Sequence, residues 1–482
     1  MGQNEEIKQE YQGNDRLLLG MVLGVITFWL FAQTTLNIAS TMRTDLGINV
    51  NVSNIAVSIT ALFSGIFIVI AGGFGDRYGR VKTTKIGLIL SIIGSLLIAV
   101  SPKGTAIFLM TGRIIQGISA ACIMPNTLAL IKTYYQDAAR QRAVSYWSIG
   151  SWGGSGLCSL FGGVVASTIG WRFIFWFSIV IAMGSFLLIN GTPESHNPPS
   201  EKKLGFDILG VFTFLTGMVA LNIVIGQGAR IGWSSVVILG LSLLAVVTLL
   251  AFVFIERSKE NSFIDFRLFR NKIYTGATIS NFLVNGSAGT LMIALTLVQL
   301  GAGLSSFQAG LLTLGYLIAI VLTIRVGEKL LQKWGARKPM ILGCIITSVG
   351  VFMTAFTFVL TNQYMIIAAI AFTLYGIGLG FYATPSTDAA LSKVPADKAG
   401  SASGIYKMAS SLGAAFGVSI SAAILTGLSN GTVHFVEGIF WGSTNNIPIR
   451  YAAMVALAFN LCLMLLSIII ILTTVPAGKS EH

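Results

Sequence analysis

Apolar residues in this chain come in runs of roughly 20, the length that crosses a bilayer as a helix. Fourteen such runs centre near Gly24, Ile66, Ile92, Gly117, Ser155, Ile181, Thr216, Leu244, Asn285, Tyr316, Thr347, Gly376, Gly413 and Leu461. Short polar segments separate them. In hydrocarbon a helix satisfies its own backbone, so the pattern predicts an all-α polytopic membrane protein with about fourteen spans.

Composition agrees. Of 482 residues, 54% are hydrophobic and only 10% charged, and the mean hydropathy is +0.79. A soluble core cannot shelter so much apolar surface. The net charge of +13 invites a nucleic-acid reading, yet its placement argues against one. With a cytoplasmic N-terminus, 23 of the 31 Lys and Arg fall in cytoplasmic segments. Arg43, Lys103, Arg172, Arg230 and Arg450 fall outside, and Arg113, Arg325 and Lys407 lie in or beside spans. That asymmetry sets orientation, with both termini cytoplasmic, and needs no polyanionic partner. The acidic N-terminus (Glu5, Glu6, Glu10, Asp15) has no cleavable-signal pattern, so the first run is expected to stay as a span. Cys122, Cys158, Cys344 and Cys462 lie in predicted spans without metal-ligand spacing and read as packing residues. No metal site is expected.

Between the second and third runs stands Gly72-Gly73-Phe74-Gly75-Asp76-Arg77-Tyr78-Gly79-Arg80. A carboxylate and two guanidinium groups are expensive in hydrocarbon, so a tight cytoplasmic turn is expected here. The string resembles the Gly-x-x-x-Asp-Arg-x-Gly-Arg signature of major facilitator transporters. A weaker copy recurs about 256 residues on, where Ser53–Lys82 is similar to Ala309–Lys338 with Gln332 in place of Asp76. Pro125-Asn126-Thr127 likewise resembles Pro385-Ser386-Thr387. Two parallel repeats of six spans plus two additional spans give a 6 + 2 + 6 arrangement. The expected units are an N-terminal bundle (1–191), a linker with two spans (192–271) and a C-terminal bundle (272–482). The linkers include Thr192–Ser200 and Glu256–Lys272, and Ser429–Ile449, with Phe435, Phe440 and Trp441, is a longer external segment.

Arg113 is the strongest single candidate. A mid-membrane Arg costs about 2.5–3.5 kcal/mol on insertion scales, so it should face protein or a wet cavity, unless it snorkels to the outer interface. With Gln116 one turn later it resembles the superfamily's fourth-span Arg-x-x-Gln-Gly motif, which implies proton coupling. The fifth span, Trp147 to Gly163, carries Gly150, Gly154, Gly162 and Gly163 beside Trp152. This resembles the antiporter motif of exporting facilitators, except that Cys158-Ser159 replaces Gly-Pro and removes the proline kink. Glycines at this density permit close packing or a bend, and Gly72 belongs with them as a gating or packing residue.

Polar and aromatic groups on equivalent helices suggest a shared cavity, with interhelical hydrogen bonding an equal reading. They are Trp29, Gln33 and Asn37 in the first span and Asn281 and Asn285 in the ninth. Tyr316, Tyr382 and Tyr406 offer π faces, and Arg113 is counted among the substrate-binding candidates. At position 32 or 33 fourteen-span exporters typically carry an Asp; here Ala32 and Gln33 stand. Lys407 reads either as an anion attractor, or a partner of Asp388 or Asp397, or as a snorkelling cytoplasmic anchor. All 18 acidic residues are expected in loops or at helix ends, and His196, His434 and His482 lie outside the spans. Asp76 and Asp388 are then the remaining proton carriers. Asp76 is expected to reach the positive end of the thirteenth span near Ala399-Gly400, and the resemblance implies that this contact, with Arg77, Gly79 and Arg80, latches the halves.

Over nearly its whole length the chain resembles the fourteen-span drug:proton antiporters of the major facilitator superfamily, of the bacterial quinolone and multidrug exporter type. Ile26–Gln33, Tyr146–Gly156 and Tyr382–Asp388 carry that likeness. It implies a monomer in the bacterial cytoplasmic membrane that exports amphiphilic drugs, fluoroquinolones among them, by alternating access. Protons, membrane lipid and small molecules are the expected partners, and the proton gradient replaces any cofactor. The alternative is a symporter or flippase for a metabolite or lipid-linked cargo. An ATP-driven pump lacks its Gly-x-x-x-x-Gly-Lys-Ser/Thr loop. A membrane enzyme lacks a His/Asp/Glu cluster at depth.

Overall fold

The structure is a computed structural model and describes residues 11–195, 207–259, 266–304, 306–429, 438–442 and 446–478. Among the described residues there is no strand. The first eight helices are α1 (Asp15–Ile26), α2 (Thr35–Leu46), α3 (Val50–Tyr78), α4 (Arg80–Ala99), α5 (Ile107–Tyr134), α6 (Asp137–Ser148), α7 (Gly154–Thr168) and α8 (Arg172–Ile189). Next come α9 (Ile208–Ile231) and α10 (Val236–Ser258). The last eight are α11 (Lys272–Gly286), α12 (Gly289–Ala302), α13 (Ser306–Leu311), α14 (Leu314–Trp334), α15 (Arg337–Thr354), α16 (Thr361–Ser392), α17 (Ala399–Leu428) and α18 (Ile447–Thr474).

By length and apolarity, twelve described helical stretches cross a membrane, or thirteen when the bent pair α6–α7 counts as one. The apolar stretch Leu209–Ile225 of α9, where a fourteenth span is expected, is shorter.

Helices α1–α8 form one bundle and α11–α18 a second, with matching internal packing. In the first, α5 lies against α3 and α4; in the second, α16 lies against α14 and α15. Helices α9 and α10 pack on each other, and α9 touches α3 and α17 along the seam between the bundles. Outward-facing Val236, Leu243, Leu250 and Phe254 make α10 the most exposed helix, as a lipid-facing span requires. The expected linker stretches at 196–206 and 260–265, the external residues 430–437 and 443–445, and His196, His434 and His482 lie outside the described residues, as does the side chain of Asn37. Within Glu256–Lys272, residues Phe266–Arg270 form a 3₁₀ turn.

Two helices are locally unwound at the same level. Thr27–Ala32 is a π-turn between α1 and α2, and Ile149–Gly153 is a π-turn between α6 and α7. They belong to neighbouring helices that pack through glycine. A Cβ on Gly154 would stand 3.3 Å from Trp29 Cβ and 3.4 Å from the Leu30 nitrogen, and one on Gly162 would strike the Thr34 side chain. The Thr34 hydroxyl donates to the Cys158 carbonyl at 3.2 Å. Just there the fifth span bends by 52°, between Cys158 and Leu160. The kink therefore survives without its proline: a π-turn and a run of small residues supply the slack.

At the end of the first bundle away from the Asp76 motif, Asp45 is gripped by Arg172 and Trp171, with Lys103 3.5 Å away. The hydrogen bond from Arg172, with help from Trp171 and Lys103, holds the Asp45 carboxyl below its ordinary range.

Filling the contact between α7 and Thr34, at the start of α2, should destabilise the fold. Gly162→Leu drives a branched side chain into Thr34, and a loss of about 1–3 kcal/mol is expected for overpacking of this kind. Thermal unfolding in detergent should show a lower midpoint, with Gly163→Leu, at a half-buried position, affected less.

Candidate functional site

The motif does not form the expected turn. Residues Gly72 to Tyr78 continue α3, and Gly79 alone breaks the path before α4 begins at Arg80. Gly79 has φ +117°, and a Cβ there would lie 2.5 Å from the Glu194 carboxyl carbon. That carboxylate accepts from the Val81 and Lys82 amides at 2.9 Å, capping α4. Asp76 and half-buried Arg77 thus occupy the last turn of a helix, which aims Asp76 sideways at the other bundle. Hydrocarbon excludes unpaired charge, and a paired carboxylate does not need a loop.

Asp76 is buried and receives five hydrogen bonds. Arg80 donates Nε and Nη2 to Oδ1 at 2.9 and 2.7 Å. Across the seam the Gly400 amide donates to Oδ1 at 2.8 Å. The Ser401 amide and hydroxyl donate to Oδ2 at 2.8 and 3.1 Å. The carboxylate therefore meets the first turn of α17, where free amides and the helix dipole favour negative charge. Close approach is possible because Gly72 faces the Gly400 carbonyl. Arg80 completes the joint, donating to Thr133 Oγ1 at 2.6 Å and across the seam to the Ala396 carbonyl at 2.5 Å. Two further bridges lie at this same end: Arg140 Nε to Asp388 at 3.1 Å, and Lys132 Nζ to the Ser392 carbonyl at 3.1 Å.

Arg113 sits elsewhere. It lies 20 residues before Thr133 on α5, about 30 Å from the Asp76 joint. It is 1% exposed, so it does not snorkel. Its donors go to the carbonyls of Ala56 (2.9 Å), Ala32 (2.7 Å) and Val57 (3.2 Å) and to Gln116 Oε1 (3.0 Å). The Ala32 carbonyl ends the π-turn of the first span, where the ladder breaks. Gln116 passes the chain on to Ser95 at 3.1 Å and Ser95 to Ser178 at 3.2 Å. Arg113 thus staples three helices of one bundle, with most of its donors already committed.

Residues 20–418 match the Major Facilitator Superfamily. The chain belongs to this superfamily. It is 49% identical over 469 residues, 97% of each chain, to the quinolone resistance protein NorB of Staphylococcus aureus strain MRSA252. The same identity and coverage hold for the NorB of strain MW2. Solved structures show the shared fold. The proton:xylose symporter XylE, bound to 6-bromo-6-deoxy-D-glucose, has a TM-score of 0.66 at 17% identity over 96% of each chain. A bacterial homologue of the iron transporter ferroportin, in its outward-facing state, has a TM-score of 0.64 at 11% identity, covering 95% of this chain and 98% of its own. The protein is a membrane transporter and not an enzyme.

The remaining candidates of this facilitator divide. In the second bundle Asn281 donates to the Tyr406 carbonyl at 3.0 Å and to Ser410 Oγ at 2.6 Å, and Asn285 donates to Asn281 Oδ1 at 2.9 Å. Tyr382 bonds Ser280 at 2.8 Å, and Tyr406 bonds Ser386 at 2.9 Å. These four side chains tie α11, α16 and α17 together through hydrogen bonds. Tyr316 differs, standing against Gly156 of the other bundle, where a Cβ would lie 3.1 Å from its ring. Trp29 and Trp152 are half-buried in the two π-turns, and the Trp29 indole N–H has no partner. Gln33 is half-buried at the break before α2. Gly150 packs on Val22, 3.1 Å from a Cβ built on it.

Three features escaped the sequence. Arg140 reads there as one more cytoplasmic cation, yet it is buried against Asp388. Glu328 is no helix-end acid: it is 4% exposed, six residues inside the end of α14, and paired with Arg325. The Arg325 guanidinium lies 4.7 Å from the Tyr146 ring of the first bundle, so the weaker motif copy also meets the seam. Lys407, finally, neither snorkels nor pairs with Asp388 or Asp397; it is buried with its Nζ 4.3 Å from the centre of the Trp147 ring. Only Glu328 left a signal, standing one turn before Gln332 in the repeat.

Arg113→Gln leaves the Ala32, Ala56 and Val57 carbonyls without their donor. Each unmet buried group costs about 1–3 kcal/mol. A lower melting midpoint in detergent is expected for the Gln variant, and only partial recovery in Arg113→Lys, which lacks the planar fork.

Proposed function

We propose that this protein exports amphiphilic drugs, fluoroquinolone-like antimicrobials and biocides among them, across the bacterial cytoplasmic membrane in exchange for protons. The observation that carries this reading is the 49% identity, over 97% of both chains, to proteins named for quinolone resistance. In it the motif end is cytoplasmic, together with both termini, as the concentration of Lys and Arg at that end requires. The seam is closed there by Asp76, Arg80, Lys132 and Arg140, which is the arrangement of a carrier able to release cargo outward. The protein works as a monomer without cofactor, by alternating access of two bundles.

Protonation supplies the switch. A neutral Asp76 no longer attracts the α17 terminus or Arg80, and a neutral Asp388 releases Arg140. Both acids sit on the seam, so their proton state biases the same joint. One charge moving through about 150 mV yields about 3.5 kcal/mol, enough for a drug gradient of about a few hundredfold.

Inside-out vesicles test direction and coupling together. Acidifying their interior should drive fluoroquinolone accumulation, and a protonophore should abolish it; no accumulation above vesicles lacking the protein refutes the reading and favours an uptake symporter or flippase. In the same vesicles Asp76→Asn should slow transport about tenfold, the scale of one charge-assisted hydrogen bond. Its drug affinity should stay within about twofold of wild type. Equal loss of affinity and rate would count against a latch.

A further inference from the structure

Lys407 is a buried cation with no anion beside it. It lies eight residues into α17, about 12 Å along the helix, and is 4% exposed. Among the described residues no carboxylate pairs with it; its neighbours are the rings of Trp147, at 4.3 Å, and Tyr406, at 6.0 Å. Trp147 belongs to the other bundle and is fully buried. Its indole N–H donates to Thr127 Oγ1 at 2.9 Å, which fixes the ring so that its face meets the ammonium. The contact therefore spans the seam, well inside the Asp76 joint.

The surroundings are short of partners too. Ser403, one turn before Lys407, and Ser145 and Ser148, on either side of Trp147, have buried hydroxyls with no hydrogen bond. Ser64 has the same status on α3, one turn beyond Ile68, whose backbone packs on Gly404. Buried hydroxyls are seldom left unpaired. The other cations near the seam have polar partners: Arg80 pairs with Asp76, Arg140 with Asp388 through Nε while its Nη2 makes no hydrogen bond, Arg325 with Glu328, Lys132 with the Ser392 carbonyl, and Arg113 largely with backbone carbonyls.

We propose that Lys407 and Trp147 form the anchoring subsite for an aromatic carboxylate, the ammonium binding its carboxylate and the indole face covering its ring. The inference rests on the export reading above and narrows it to aromatic acids and zwitterions. Opening of the seam moves α6 away from α17, and the ammonium exchanges the indole for the stronger acceptor. A lipophilic cation lacking an acid gains nothing from this subsite, because the fixed charge repels it.

Equilibrium binding to the purified full-length protein in detergent tests this with a fluoroquinolone and its methyl ester, which differ in the carboxylate alone. Wild type should bind the acid about tenfold tighter than the ester. Lys407→Gln should bring the acid down to the ester's affinity without changing the ester's, and Lys407→Arg should keep most of the preference. Trp147→Leu should weaken both probes alike. A wild type without preference for the acid, or a Lys407→Gln variant that retains it, overturns the proposal, and the wild-type comparison needs no variant to fold. Binding is read without a gradient. A protein that shows the predicted preference yet exports neither probe in inside-out vesicles therefore upholds the subsite and refutes the export reading.

Discussion

A helix that starts inside protein presents amides with no partner in its own ladder, and α17 hands those of Gly400 and Ser401 to a carboxylate of the other bundle. Much of the seam is arranged around that one contact. Gly72 lets the backbones close, Gly79 turns the chain so that Arg80 folds back on Asp76, and Glu194 caps the helix that Arg80 begins. The joint holds firmly while Asp76 is charged and loses its main attraction once it is neutral. A carrier that must open and shut needs an attachment of this kind, strong in one state and cheaply released in the other.

The same need of a buried polar group for a partner bears on the first π-turn. Unwinding at Thr27–Ala32 leaves the Ala32 carbonyl available, and Arg113 takes it together with carbonyls of the next helix. Arg113 is thus a charge dissolved in backbone dipoles, and its burial needs no carboxylate. The facing π-turn of the fifth span is accommodated by glycines, and the bend beyond it follows without proline. On the proposed mechanism the Arg113 level is the stapled region and the Asp76 joint, about 30 Å away, the one that releases.

Much of this was legible in the chain. Run lengths and the Lys/Arg asymmetry indicated a polytopic protein, because bilayer thickness and insertion charge act on local sequence. The contact of Asp76 near Gly400 was expected from the positive end of the thirteenth span, and its role as a latch from the family resemblance alone. The partners of the seam's cations were not legible. Arg140 finds Asp388 across 248 residues, and Lys407 finds Trp147 across 260; no local pattern joins either pair. Asn281, Tyr382 and Tyr406 were read with equal weight as cavity lining or as interhelical ties, and only packing showed each one bonded to a neighbouring helix, Tyr382 to Ser280, Tyr406 to Ser386 and Asn281 to Ser410.

By itself the sequence determined what each segment can dissolve in: apolar runs cross, charged links stay at the basic end, and a lone Arg or Lys inside a run must be met by protein or reach an interface. Those consequences follow from transfer free energies that depend on composition over about 20 residues. Which group meets each buried charge was decided only by tertiary structure. Asp76 received a helix end, Arg113 received carbonyls, Arg140 a carboxylate, and Lys407 an aromatic face. A hydrogen bond needs donor and acceptor within about 3 Å and well aligned, so the outcome rests on how helices from distant parts of the chain are laid side by side.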